Sequence, residues 1–132
     1  MSELTAHLDL PLGEQAPGAA RRAVSAVLDG WGFRDPRWLG QTGVVVSELV
    51  THAVLHDGSS VEIRVEAHEG RVTLSIADGL SVVPGRDDEL SLILIEGLSA
   101  GWGVHDHNGG KRVWVELPPC PGSTQGESGS GR

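Results

Sequence analysis

The chain reads as an α+β protein: a two-layer sandwich with helices on one face of a mixed, mostly antiparallel sheet. Three observations carry that expectation. Five short stretches alternate apolar and polar residues, the pattern of half-buried strands. Three others follow the three-four spacing of amphipathic helices. The strands after the second helix come mainly as hairpins, and hairpin-joined strands with grouped helices bury their apolar faces in two layers.

The elements follow in order. Leu4, Ala6, Leu8, Leu10 and Leu12 alternate with mostly polar residues and make the first strand. Ala20, Ala23, Val24, Val27, Leu28 and Trp31 then form a helical stripe, stopped by Gly30 and Gly32. Asp35-Pro36 opens a second helix, with Asp35 as N-cap and Pro36 in the first helical position. It runs to about His56, with Gly58 as terminator and Val46, Leu49, Val50 and Ala53 as core stripe. Val61, Ile63, Val65 and Ala67 face one way and Glu62, Arg64, Glu66 and His68 the other; Glu69-Gly70 turns the chain into Val72, Leu74 and Ile76. "ADGLSVVPG" is a loop and "RDDELSLILIEGLSAGWG" a helix with an acidic first turn. "WGVHDHNGGKRVWVELPP" closes the domain as two strands around a turn. Residues 1–117 make one domain, and 118–132, rich in Gly, Ser and Pro, make a disordered tail with almost nothing to bury.

Composition narrows the function classes. A net charge of −8 opposes direct binding to nucleic acid or anionic lipid and favours a basic protein partner. A single cysteine, Cys120, excludes a disulfide framework and a thiolate metal cluster, and fits a reducing cytoplasm. No long apolar run and no leader segment are expected.

The chemistry-bearing stretch is "VVSELVTHAVLHDG", residues 45–58. Glu48, His52 and His56 recur every four residues and share one broad helix face. Three readings stand side by side. The face is simply solvated; or it holds a metal, with His105 or His107 as third ligand; or it belongs to a catalytic pocket. The metalloprotease arrangement needs a glutamate between the histidines, and "HAVLH" has none.

"SELVTHAVLH", "IADGLSVVP", "LILIEGLSAGWGV" and "GGKRVWVEL" resemble, in that order, the ATP-binding domain of the anti-sigma-factor serine kinases. These belong to the GHKL, or histidine-kinase-like, ATPases, with DNA gyrase and mismatch-repair proteins. The resemblance spans about residues 5 to 117 and is closest to the short single-domain versions of high-GC Gram-positive bacteria. It implies a GHKL (Bergerat) sandwich. It also implies ATP and magnesium as cofactors and Glu48 as the catalytic residue polarising the attacking hydroxyl. Asp78, followed by Gly79, would accept a hydrogen bond from the adenine amino group, and Lys111 would reach a phosphate.

Two departures fall on the phosphate end. His52 stands where the family's magnesium-holding asparagine should be, and imidazole is a poor replacement for an oxygen ligand. Glu89 and Ser91 occupy the glycine positions of the G-x-G motif, with Asp87 and Asp88 just before them. Carboxylates there favour a helix N-terminus but repel a triphosphate. The implied function is a cytoplasmic homodimeric transcription regulator that sequesters a sigma factor and phosphorylates a serine of an anti-sigma antagonist, with weak or absent ATP binding. The alternative is a pseudokinase that keeps the fold and binds a protein or another ligand.

Overall fold

In a computed structural model of the chain, the residues described are 3–11, 13–55, 60–77, 95–107 and 110–122. They form a mixed α+β fold. Strand β1 spans Glu3–Pro11, helix α1 Ala16–Gly30, helix α2 Pro36–Leu55, β2 Ser60–His68, β3 Arg71–Ala77, β4 Gly101–His107 and β5 Gly110–Glu116. Residues 95–98 are also helical; the expected start of that helix and the loop before it lie outside the described residues. The sheet order is β1-β2-β3-β5-β4. Every described pairing is antiparallel, so the sheet is less mixed than expected.

Helix α1 begins earlier than the sequence suggested because Pro17 is tolerated in the first turn, where no amide partner is lost. Ala16, Ala20, Val24 and Leu28, four apart, are its buried stripe. Its end is a Schellman motif. The Gly32 amide donates to the Asp29 carbonyl (3.1 Å) and the Phe33 amide to that of Leu28 (2.9 Å). Gly32 has φ 102°, a conformation that disfavours any side chain. The turn drops Phe33 into the core, where it is fully buried and stacks on Trp38 at 5.7 Å between ring centres.

Asp35 caps α2 as expected, its Oδ2 accepting from the Trp38 amide at 2.9 Å. The helix buries Trp38, Thr42, Val45, Val46, Leu49 and Val50. The core stripe expected from its spacing is therefore the observed one over the side chains described. Val61, Ile63, Val65 and Ala67 of β2 and Val72, Leu74 and Ile76 of β3 meet it from the sheet. Glu69 and Gly70 join those strands with φ values of 54° and 81°. Positive φ at both central residues matches the right-handed strand twist, the reason such turns serve as hairpin connections.

The packed chain continues beyond Glu116. The Leu117 amide donates to the Val72 carbonyl (2.9 Å), and the Pro118 carbonyl accepts from Trp38 Nε1 (2.7 Å). Cys120 is 8% exposed, and burial pushes its thiol pKa up. Pro118 to Cys120 thus belong to the packed domain, although the boundary expected from composition fell at Pro118. Removing everything after Gly122 should leave the thermal midpoint unchanged. Truncation after Leu117 deletes the Trp38 acceptor and the cover supplied by Cys120. It should lower the midpoint by several degrees, for a loss of about 1–2 kcal/mol. Scanning calorimetry on the two truncations distinguishes them.

Among the described residues, no helix is long and apolar enough to cross a membrane, which says nothing of spanning strands.

Candidate functional site

The anchor at Trp38 orients the helix that carries Glu48. Pro118 follows Leu117, and Leu117 is bonded to Val72, so the amino end of α2 lies at the amino end of β3. Glu48 is ten residues beyond Trp38, about 15 Å along a helix axis. The strand from Val72 to Ala77 covers a similar length, about 17 Å. α2 ends at Leu55 and β2 begins at Ser60, at the end where Glu62 pairs with Ala77, so the carboxyl half of α2 leads to the end of the sheet where β3 stops.

At that end two strands meet. Ala77, the last residue of β3, pairs with Arg112 of β5. Lys111 precedes Arg112 and pairs by its backbone with Asp106. Asp78 is the residue after Ala77, so the chain positions of Asp78 and Lys111 adjoin the same pair of strand ends. Asp78, Gly79, Leu80 and the whole stretch through Asp87, Asp88, Glu89 and Ser91 lie outside the described residues, as does His56. His52 sits in α2 one turn after Glu48; its side chain, like those of Lys111, His105 and His107, is outside the description.

Glu48 is half-buried and engaged in an interaction of its own. Beside it, Arg21 of α1 donates from Nη1 to Ser47 Oγ at 3.1 Å. The stem of Arg21 crosses α2 at Gly43, where an added Cβ would come within 2.8 Å of it. Glycine there lets the arginine lie flat and reach the turn that presents Glu48. Among the described residues, no cluster of three or more His, Cys, Asp or Glu has the arrangement of a metal site.

A second group of interacting side chains escaped sequence reasoning. It lies on the sheet face opposite the helices. Arg112, 8% exposed, donates from Nη1 to Ser75 Oγ (3.0 Å) and from Nη2 to Glu62 Oε1 (2.7 Å). The other Glu62 oxygen lies 3.2 Å from His7 Nδ1. The Arg112 guanidinium holds the Glu62 carboxyl below its ordinary pKa of 4.5, with the His7 contact and the Arg64 charge adding to it and partial burial opposing. Trp114 lies beside this group with its indole flat over Gly103, where an added Cβ would approach the ring to 2.7 Å. The alternation marks all these positions as outward-facing. Only the strand register puts Glu62 and Ser75 within reach of Arg112, because Glu62 is opposite Ala77 and Ala77 opposite Arg112.

The chain matches no protein-family model, and no curated protein matches it.

Proposed function

We propose that the protein is a cytoplasmic regulator of the anti-sigma-factor type, built on a GHKL ATPase sandwich, that acts by holding a protein partner. The observation that supports this reading is that Ala77, the residue before Asp78, pairs with Arg112, the residue after Lys111, while α2, which carries Glu48, leads into the β2 end that pairs with Ala77. In that arrangement Asp78 and Gly79 would face an adenine, Lys111 a phosphate, and His52 the magnesium position. Bound ATP would supply a transferable phosphoryl group. The part of this chain would be to orient it and, through Glu48, to accept the proton of an attacking serine hydroxyl. The partners are a sigma factor, an anti-sigma antagonist and a second copy of the chain.

The carboxylates Asp87, Asp88 and Glu89 favour the non-catalytic form of this function. Three negative charges where a triphosphate would lie oppose its binding, and His52 weakens the metal position. Titration calorimetry of the wild-type chain with Mg·ATP should therefore give weak or no binding; a dissociation constant in the low micromolar range would overturn this.

Repair tests the site itself. His52→Asn restores an oxygen ligand, and Glu89→Gly with Ser91→Gly removes a charge and opens the backbone to phosphate. The triple variant should bind ATP more tightly than wild type, and adding Asp78→Ala should abolish the gain. The two glycines cost about 1 kcal/mol each if they fall inside a helix, so folding is checked by circular dichroism. A folded triple variant that ignores ATP would sink the ATPase reading. Binding that survives Asp78→Ala would move the adenine site elsewhere.

A further inference from the structure

On the sheet face turned away from the helices, the charges near the end of β3 neutralise one another: Arg112 pairs with Glu62, and Glu62 with His7. At the other end of that face, beside the β2–β3 turn, they do not. Glu66 of β2 lies opposite Thr73 of β3, and Thr73 opposite Glu116 of β5. The two glutamates therefore flank Thr73 on one side of the sheet, with two strand spacings, about 10 Å, between their backbones. Arg71 stands two residues from Thr73 on the same face, about 7 Å along the strand. Among the described residues, the side chains of Glu66, Glu116 and Arg71 make no hydrogen bond or ion pair. The nearby His68 is engaged with Glu3 (3.6 Å) and Glu69 (3.7 Å). Glu66, Glu116, Arg71 and Thr73 all line one half-open cavity of about 290 Å³.

We propose that this cavity binds a basic amino acid, its guanidinium or side-chain ammonium between Glu66 and Glu116 and its carboxylate on Arg71. A simple cation would meet Arg71 as a like charge, and a simple anion would meet two carboxylates. A ligand with both charges compensates all three groups. A guanidinium is planar and donates from several edges, so two carboxylates can receive it at once. Arg71 offers a carboxylate the matching fork of donors, and the Thr73 hydroxyl lies between the glutamates as a further partner. The offset along β3 between the glutamate pair and Arg71 selects a ligand whose charges sit at opposite ends of a short chain. Glycine, whose charges are adjacent, spans it poorly. The groups are open to water, which screens exposed pairs, so the expected affinity is millimolar.

This site is independent of the ATPase reading, and calorimetry with ATP and the measurements below fail separately. In nitrogen-15 NMR spectra of the full chain, the amide signals of Glu66, Thr73 and Glu116 should shift saturably as L-arginine is added at constant ionic strength. Glycine should need a higher concentration. Glu66→Gln and Glu116→Gln should each weaken arginine binding about three- to fivefold, the effect of one exposed charge pair. Arg71 separates this site from a plain acidic patch. Agmatine is arginine without its carboxylate and carries a second cation instead. Arg71→Gln should weaken arginine by a similar factor and strengthen agmatine, because it removes a partner from the first and a like charge from the second. Glu66 and Arg71 are exposed and Glu116 half-buried, so none of these changes enters the core; circular dichroism confirms that each variant folds. No saturable shift with arginine up to about 10 mM, where a site of millimolar affinity is nearly filled, would overturn the inference. So would binding indifferent to both glutamate substitutions, or an Arg71→Gln variant that moves arginine and agmatine in the same direction.

Discussion

Phe33→Ala should lower the stability of the domain by about 3–5 kcal/mol, a large part of the roughly 5–15 kcal/mol that holds a small domain folded. Phe33 is fully buried, and the backbone that places it leaves little room for collapse. Its amide is tied to Leu28 through the turn at Gly32, and its ring lies against Trp38, which is itself tied to Pro118. A ring deleted from between three anchored segments leaves a cavity rather than a closed gap. Urea denaturation should show the midpoint falling with little change in slope. A cost below about 1 kcal/mol would mean that the helix junction relaxes into the space, contrary to this packing.

The second large effect concerns Arg112. Arg112→Met keeps most of the stem and deletes the guanidinium, leaving the Ser75 hydroxyl buried without that donor and Glu62 without its strongest partner. Hydrogen bonds to charged groups contribute about 1.5–3 kcal/mol, so a loss near 2 kcal/mol is expected at neutral pH. The pH dependence is the sharper readout. Folding lowers the Glu62 pKa, so as the pH falls the unfolded chain takes up that proton before the folded one does. The pair's contribution is complete above the ordinary value of 4.5 and drains away as the pH drops through it and then through the lower folded value. Arg112→Met should therefore lose less stability than wild type between pH 7 and about pH 3. Parallel acid-side slopes for the two proteins would show that Glu62 does not owe its shift to Arg112.

Much of this architecture was legible because periodicity and burial are the same fact seen twice. The Val61-Ile63-Val65-Ala67 alternation, the Asp35 cap and the Glu69-Gly70 turn each depend only on neighbours in sequence, and each appears where expected. What periodicity could not supply was anything decided by register or by distant chain. Nothing local distinguishes Arg112 from an exposed strand arginine; its burial follows from Ser75 and Glu62 lying on two other strands. Cys120 sits in a Pro-rich stretch that looks unable to fold, and it is buried because Trp38 draws Pro118 against α2. Of the expected site residues, Glu48 stands on the expected helix, and Asp78 and Lys111 adjoin neighbouring strand ends. The identity of what binds there depends on chemistry that strand and helix patterns do not encode.

The sheet order also bears on how the chain assembles. Three of its units are local: the α1–α2 pair, the β2–β3 hairpin and the β4–β5 hairpin each join neighbours in sequence. The two remaining seams are not. β3 meets β5 across a long intervening segment, and β1 meets β2 only after both helices have been made, with Leu8 opposite Ile63. Closing long loops costs entropy before any contact offsets it, so the local units form early and the distant seams set the pace. β1 is then the last strand on and the first off. In native-state amide exchange its protection should collapse at a lower opening free energy than that of β2 and β3, although its own hydrogen-bond register is unbroken from Glu3 to Pro11.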